Sequence, residues 1–367
     1  MSNLGVVYDL IPFIIVSLLI ISSVSPKINT LCLLISSFII YIIISSRGLS
    51  VDRDAAVYKF VFDSLRMVPF DQLSEYSSVI GQEIGFLFFE KLANMSGINF
   101  FEFRFLFDFC CLSALLYVLF TYIPGKFRLI SYFIYASMFM LFRDFTQIRL
   151  CFACLISIIS ILKMLEGKVK SSISLFFVAV MFHNTSLIIS TILSVIYFMK
   201  EERLYSMKFA LSMISLSSIL SVLKPANYLM TLSFMPSQLT RYQGTDNISG
   251  STLGINFLFS IVLSLILVFF YKKGEKKDIG YKFLYITMLA STCISLVFIG
   301  VPILIRMQIL CFTGFIFFPS ILYGIFMKKT KLGNYIFQIS IACVFILNFY
   351  KNLSSGIIYT YIPFWME

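Results

Sequence analysis

Charged and hydrogen-bonding side chains are rare in this chain, and several of them lie between long apolar runs. The stretch FRDFTQIRL at 142–150 places Arg143, Gln147 and Arg149 between two such runs. A guanidinium binds phosphate or carboxylate in a planar, bidentate way, and an amide can add a further hydrogen bond. We therefore expect these side chains to line an anion site, with snorkelling to the membrane surface as the alternative.

The stretch SRGLSVDRDAAVYKF at 46–60 follows another apolar run and carries a second group of candidates. Arg47 stands at the end of the run, and Asp52 precedes a short helical pattern. Asp54 and Tyr58 are four residues apart, so a helix would place them on one face. The alternative is a solvated helix start that an aspartate caps.

The stretch GQEIGFLFFEKL at 81–92 places Glu83 before Phe86, Phe89 and Leu92, which recur at helical spacing. This spacing predicts a helix that lies on the membrane or dips into it. Glu83 would then be either a functional carboxylate or a residue that favours a helix N-terminus.

His183, in MFHNTSL at 181–187, is the only histidine of the chain. Its side chain is the one type whose ordinary pKa lies near 7, which suits a general base; a polar residue at a helix end is the alternative. Arg241 with Tyr242, and Arg306, add two further cations that would lie on the same face as Arg149.

The composition shows which elements must position these groups. The chain is 59% hydrophobic and 13% charged, with a mean hydropathy of +0.93, whereas soluble domains carry about 25% charged residues. The first apolar run lacks the features of a cleaved signal peptide and is expected to remain as a span. With one histidine, and with every cysteine inside an apolar run, we expect no metal site. The cysteines are Cys32, Cys110, Cys111, Cys151, Cys154, Cys293, Cys311 and Cys343.

Apolar runs of about 20 residues predict an all-α polytopic membrane protein with about twelve transmembrane helices in a single domain, residues 1–367. The predicted spans are 4–24, 28–46, 103–123, 127–142, 147–165, 169–183, 186–199, 206–223, 254–271, 282–300, 303–327 and 333–350. The two long connections, 47–102 and 224–253, lie on the same side of the membrane as both termini.

The basic residues predict the orientation. Lysine dominates the short connections of one face, which is therefore expected to be cytoplasmic. The opposite face carries eight arginines, namely Arg47, Arg53, Arg66, Arg104, Arg143, Arg149, Arg241 and Arg306. Since topology explains the net charge of +11, no nucleic-acid partner is expected, and the functional site is expected on the arginine-rich outer face.

Four motifs in this order resemble the EpsG/Wzy-type family of O-antigen and exopolysaccharide polymerases. They are Arg47 followed by Asp54–Tyr58, Glu83–Phe86 with its Glu-x-Gly-aromatic pattern, Arg149–Ala153 with Arg-x-x-x-Ala, and Phe182–Thr185 with Phe-His-x-Ser/Thr. The chain departs from the family before the first of these, where Asp52 and Arg53 stand, so either Asp52 or Asp54 would take the family's role.

The resemblance implies a GT-C-like architecture and a metal-independent glycosyltransferase that needs no cofactor. A glycan on undecaprenyl pyrophosphate would be transferred to the non-reducing end of another lipid-linked repeat unit on the periplasmic face of a bacterial inner membrane. The pyrophosphate-binding residues would be Arg149 first, then Arg241, Arg306 and Arg143. The general base would be His183, with Glu83 and Asp54 as alternatives. Other substrate contacts would come from Arg47, Asp52, Tyr58, Gln147 and Tyr242, and membrane lipid and a chain-length regulator would be partners.

Three other functions share some of these features. A lipid-linked oligosaccharide flippase would place its charges deep within the spans, whereas these charges gather at one face. A membrane-bound O-acyltransferase would also use a lone histidine, but it would leave the outer arginines without a role. An O-antigen ligase performs a related transfer and stays open at this point.

Overall fold

The computed structural model describes residues 25–223, 254–271, 278–299, 305–326, 331–354, 359 and 361–367, and positions 11, 14, 17 and 18. In this part of the chain the regular structure is helical, apart from isolated β-bridge positions such as the pair Arg47 and Pro363. The chain forms two compact units, Met1–Leu155 with Ile316–Glu367, and Ile156–Phe315.

The first unit carries three of the four motifs, those that contain Arg47, Glu83 and Arg149. Its helices are α1 (Pro26–Ser45), α2 (Ala55–Ser64), α3 (Leu73–Ile80), α4 (Ile84–Met95), α5 (Phe100–Tyr122), α6 (Arg128–Tyr135) and the beginning of α7 (Ile148–Leu165), followed much later in the chain by α14 (Phe318–Phe326) and α15 (Lys331–Leu353). A π-helix, Ala136–Asp144, extends α6.

The second unit contains the rest of α7 and the following helices. These are α8 (Val169–Phe182), α9 (Ile188–Phe198), α10 (Met207–Leu223), α11 (Ile255–Phe269), α12 (Ile279–Val297) and α13 (Ile305–Phe312). Helix α12 packs against α10, α11 and α13. A hydrogen bond of 2.8 Å between the Ser260 and Ser291 hydroxyls joins α11 to α12.

Within the described residues, six segments are long and apolar enough to cross a membrane, and they are Pro26–Ser45, Phe100–Tyr122, Ile148–Leu165, Ile279–Val297, Arg306–Ile325 and Ile336–Leu353. Four shorter apolar helical segments, Val169–Phe182, Asn184–Phe198, Met207–Leu223 and Ile255–Phe269, lie between them. Helices occupy the predicted spans as far as the described residues extend, and span 4–24 lies almost wholly outside them. The chain is therefore a multi-pass helical membrane protein, while the total of twelve spans stays a prediction.

Local sequence explains where the helices of the first unit begin. Ser25 accepts a hydrogen bond of 3.2 Å from the Ile28 amide and precedes Pro26, so α1 starts with a capped end and a proline in its first turn. Asn99 and Glu102 form a reciprocal capping box at the start of α5. These caps set where α1 and α5 begin.

Helix α4 is the helix predicted around 81–92, but its apolar residues do not share one face. Phe86 is fully buried, whereas Phe89 and Leu92 are exposed. Phe86 instead stacks edge-on against Phe107 of α5, with 5.3 Å between ring centroids. Only the outer side of α4 is thus available to lipid, and its inner side packs against the protein.

Candidate functional site

Arg149, at the start of α7, is held by two side chains that are distant in sequence. Its Nη1 forms an ion pair with Glu83 Oε2 at the start of α4, and its Nε lies 3.5 Å from the Tyr58 hydroxyl of α2. The guanidinium also stacks on the Tyr58 and Phe86 rings, 5.6 and 5.9 Å from their centroids. We refer to Tyr58, Glu83, Phe86 and Arg149 as the Arg149 cluster. It is a positioned cation at the N-terminal end of a helix that is long and apolar enough to span a membrane.

Glu90, two helical turns after Glu83 on α4, is a second acid near Arg149. Its side chain is fully buried, and neither carboxyl oxygen has a hydrogen-bond partner in the part of the chain that the structure describes. Burial raises the pKa of Glu90 well above its usual value, and the charge of Arg149 opposes this only in part. Burial likewise raises the pKa of Tyr58, so its hydroxyl stays protonated beside the guanidinium. Burial therefore favours the neutral, protonated form of Glu90.

Arg47 anchors a second group of charges at the end of α1. Its Nε lies 2.9 Å from Asp52 Oδ2, and its Nη1 lies 3.7 Å from Asp108 Oδ2 of α5. Arg104, one turn before Asp108, donates to the Ser45 carbonyl oxygen over 3.0 Å and also to the carbonyl of Arg47. Removing one member of such a buried ion pair typically costs about 3–5 kcal/mol. Arg47 therefore fixes the chain that leads into α2.

The structure distinguishes the two aspartates that the sequence left open. Asp52 is buried, and its Oδ1 accepts hydrogen bonds from the amides of Asp54 and Ala55, at 2.9 and 2.8 Å. Asp52 thus caps α2 while it pairs with Arg47. Asp54 makes no side-chain cap bond, is half-buried and interacts electrostatically with Tyr58. Asp54 is therefore the aspartate placed beside the Arg149 cluster.

The residues after α15 pack over the turn that follows Arg47. The Gly48 amide donates to the Ile362 carbonyl over 2.7 Å, and the Ser46 and Tyr361 hydroxyls lie 2.6 Å apart. The Glu367 carboxylate accepts hydrogen bonds from the amides of Leu49 and Ser50, at 2.6 and 2.9 Å. These bonds offset the partial burial of Glu367 and lower its pKa below the usual value. The turn carrying Arg47 is therefore held from both sides.

Arg143 is fully buried, and its Nε lies 2.9 Å from Asp144 Oδ1. Its guanidinium also stacks on Tyr135 and Phe139, 5.1 and 4.8 Å from the ring centroids. Gln147 contributes through its backbone, which accepts the Cys151 amide in the first turn of α7. A phosphate would reach Arg143 only by displacing Asp144 and these aromatic rings.

His183 lies in the second unit, between α8 and the 3₁₀ turn Asn184–Leu187, and caps that turn. Its Nδ1 accepts from the Thr185 amide over 3.3 Å and lies 2.9 Å from the Thr185 hydroxyl. Because Nδ1 accepts the amide hydrogen, a neutral ring carries its proton on Nε2, a tautomer assigned from this bonding pattern. In that form Nε2 is a hydrogen-bond donor.

The other predicted anion-binding residues are placed in part. Arg306 is half-buried in α13 of the second unit, while Arg241 and Tyr242 lie outside the described residues. Among the residues described, no three His, Cys, Asp or Glu side chains converge as a metal site.

Asp108 lies beside Arg47, and Glu90 lies near Arg149. The sequence analysis did not identify either acid as a candidate site residue. Both have a sequence signal: Asp108 follows Arg104 by one helical turn inside an apolar span, and Glu90 follows Glu83 by two turns. An ionisable residue within an apolar span is by itself a reason to look for a partner and a function.

One comparison with known proteins is positive. The family model described as the EpsG family matches residues 10–364 of the chain. No curated protein and no solved structure matches it. The matched range contains both charged groups and every predicted site residue.

Proposed function

The chain belongs to the EpsG family, and on that premise we propose that it is a membrane glycosyltransferase that polymerises a surface polysaccharide. Its donor would be a glycan on undecaprenyl pyrophosphate, and its acceptor the non-reducing end of another lipid-linked repeat unit. The observation that carries the proposal is the Arg149 cluster, a positioned guanidinium at a helix end in a multi-pass protein of this family.

The proposed role of Arg149 is to bind the pyrophosphate leaving group. Pyrophosphate is already a good leaving group, so the main requirement is to neutralise the charge that grows on it. A preorganised cation does this without reorganising in the transition state. Arg149 donates from Nε to the Tyr58 hydroxyl and from Nη1 to the Glu83 carboxylate, and these two contacts orient the guanidinium. Arg306, Arg241 and Arg143 are proposed as further anion contacts, and Arg143 is fully buried.

Asp54 is our choice for the base that accepts the proton of the acceptor hydroxyl. In a direct displacement the base and the leaving group act on opposite faces of the sugar ring. Glu83 is held against the leaving-group cation by its ion pair, and the ring of His183 presents a donor in its neutral form. Asp54 is half-buried and lies beside Tyr58 without being part of that ion pair. Glu83 and His183 remain the alternatives.

The proposed setting is a bacterial inner membrane, with both termini and the site on the periplasmic side. The lysine-rich short loops support this orientation. The proposal includes a GT-C-like arrangement of about twelve spans, no metal, and a chain-length regulator as an additional partner. The remaining substrate contacts are assigned to Arg47, Asp52, Gln147 and Tyr242.

The test is the surface polysaccharide of the native host after deletion of the gene and complementation. A ladder that collapses to core plus one repeat unit, and returns with the wild-type gene, supports a polymerase. Complete loss of the repeat unit would point to a flippase or an O-antigen ligase, and an unchanged ladder would refute the proposal and favour the acyltransferase. Purified protein with lipid-linked repeat units then separates polymerisation from transport.

A further inference from the structure

The first unit contains a small cavity, lined by both apolar and polar side chains, that the Arg149 cluster does not use. It has a volume of about 40 Å³ and lies between α1, α5, α6 with its π-helix, and the start of α7. Its polar lining consists of Ser37, Tyr41, Asp108, Tyr132, Tyr135, Asp144, Cys111 and Cys151. A single water needs roughly 10–15 Å³ measured in this way. The cavity therefore accommodates a few hydroxyl-sized groups rather than a whole sugar ring.

The carboxylates of the cavity are held on one side by arginines. Asp144 Oδ1 lies 2.9 Å from Arg143 Nε, and Asp108 Oδ2 accepts from the Ser45 hydroxyl over 3.1 Å and lies 3.7 Å from Arg47 Nη1. These contacts fix the orientation of Asp108 and Asp144, and both residues line the cavity. Such fixed carboxylates are good hydrogen-bond acceptors.

Tyr132 supplies an independent indication of a ligand. Its side chain is only 3% exposed and lines the cavity, and its hydroxyl has no hydrogen-bond partner in the described part of the chain. Buried tyrosine hydroxyls normally find a partner, because an unsatisfied polar group costs about 1–3 kcal/mol. The hydroxyl of Tyr132 therefore lacks a protein partner and is available to a ligand in the cavity.

The charges around the cavity identify the class of ligand. Three arginines are balanced by three aspartates, namely Arg47, Arg104 and Arg143 against Asp52, Asp108 and Asp144. Of these six residues only Asp108 and Asp144 line the cavity, which disfavours a phosphate inside it. Both aspartates already have an arginine partner, so neither is a free charge for a cation. The cavity does offer acceptors and a donor at fixed positions, which is what a neutral polyhydroxy compound requires.

We propose that this cavity binds hydroxyl groups of the glycan substrate, with Asp108 and Asp144 as acceptors and Tyr132 as a donor. The assignment rests on the proposed polymerase function and adds a sugar subsite to it. Water is the other compound with the same hydrogen-bonding chemistry, so the test must separate a sugar hydroxyl from water.

Two adjacent cysteines give a matched pair of reporters. Cys111 is buried and lines the cavity, whereas Cys110, the preceding residue of α5, is exposed on another side of the helix. Single-cysteine proteins that retain one or the other are reconstituted in nanodiscs and treated with methyl methanethiosulfonate. The labelling rate is measured with increasing concentrations of the soluble repeat-unit oligosaccharide.

We expect the oligosaccharide to slow labelling of Cys111 by tenfold or more at saturation and to leave Cys110 unchanged. Asp144→Asn should raise the half-protecting concentration by about 10- to 100-fold, since it removes hydrogen bonds to a charged acceptor. Tyr132→Phe keeps the aromatic ring but removes the hydroxyl, and it should raise the half-protecting concentration by about 2- to 10-fold.

Three results would overturn the subsite. Labelling of Cys111 that the oligosaccharide does not change would mean that the cavity holds water alone. Equal protection by undecaprenyl phosphate without sugar would remove the sugar assignment, and unchanged protection in both variants would remove the assigned residues. Ladder formation by the wild-type protein is assayed in parallel, so a failed subsite with an intact ladder is distinguishable from a failed polymerase function.

Discussion

Replacement of Arg149 by alanine is the most informative perturbation of the proposed mechanism. Arg149 is oriented by Glu83 and Tyr58, and its side chain is only 17% exposed. Loss of one preorganised group that stabilises developing charge typically lowers kcat by about 10²–10³, or about 2.7–4 kcal/mol. We expect Arg149→Ala to lower kcat for polymerisation by this amount. Arg149→Lys, which keeps the charge but loses the planar fork, should lose less.

A second effect of the same substitution must be separated from the first. Arg149→Ala leaves the Glu83 carboxylate, 11% exposed, without its ion-pair partner. An unpaired buried charge can cost about 3–5 kcal/mol of stability. In the double variant Glu83→Gln/Arg149→Ala this charge is removed, so the fold should recover. If Arg149 binds the leaving group, activity stays low in the double variant; if Arg149 only balances Glu83, activity returns.

The assay uses purified protein in nanodiscs with lipid-linked repeat units, and it measures initial rates of ladder formation. Thermal unfolding of each variant is recorded beside it. Arg66→Ala is the matched control, because Arg66 is another arginine of the predicted outer face, is exposed, and makes one long hydrogen bond, 3.3 Å to Asn94. Near-wild-type kcat in a folded Arg149→Ala protein, or an equal loss in Arg66→Ala, would refute the reasoning.

Substitutions at four further positions test other parts of the structure. Asp54→Asn should lower kcat by about 10²–10⁴ in the ladder assay, since the amide cannot accept the hydroxyl proton. His183→Asn should keep the cap and most activity, whereas His183→Ala should lower the free energy of unfolding by about 1 kcal/mol in denaturant titrations. Glu90→Gln should raise Tm above that of the wild type at pH 9 but not at pH 5. Because the pKa of Glu90 is raised in the folded protein, the free energy of unfolding of the wild type falls as pH rises past the ordinary pKa of a glutamate, by at most about 1.4 kcal/mol per pH unit. Gly48→Ala places a methyl group against the Glu367 carboxylate, so it should loosen the C-terminal segment and speed its removal by carboxypeptidase by about tenfold.

Each of these has a result that would contradict it. Asp54→Asn with undiminished kcat would return the base role to Glu83 or His183, and a large loss of activity in a stable His183→Asn protein would favour the histidine. Identical pH profiles for wild type and Glu90→Gln would mean that Glu90 is ionised in the folded protein. Unchanged cleavage in Gly48→Ala would show that the bonds to Glu367 do not hold the segment.

The amino-acid sequence by itself determined the class of protein and the positions of most helices. Predicted span 28–46 is helix Pro26–Ser45, and predicted span 103–123 is Phe100–Tyr122. This succeeds because a backbone in the membrane must satisfy its hydrogen bonds within each segment, so apolar runs of sufficient length become helices. Asp54 and Tyr58 were likewise placed near each other correctly, since both lie at the start of one short helix.

Only the tertiary structure decided which groups meet. Arg149 pairs with Glu83 from 66 positions earlier in the chain, Asp52 rather than Asp54 caps α2, and Phe86 turns inward while Phe89 faces outward. Helical periodicity defines the faces of a single helix, but it carries no information on which face of another helix lies opposite. The partners of a buried charge, and the cavity lined by Asp108 and Asp144, arise from how α1, α5, α6 and α7 pack together. That packing depends on side-chain shape summed over many residues and is not encoded in any one motif.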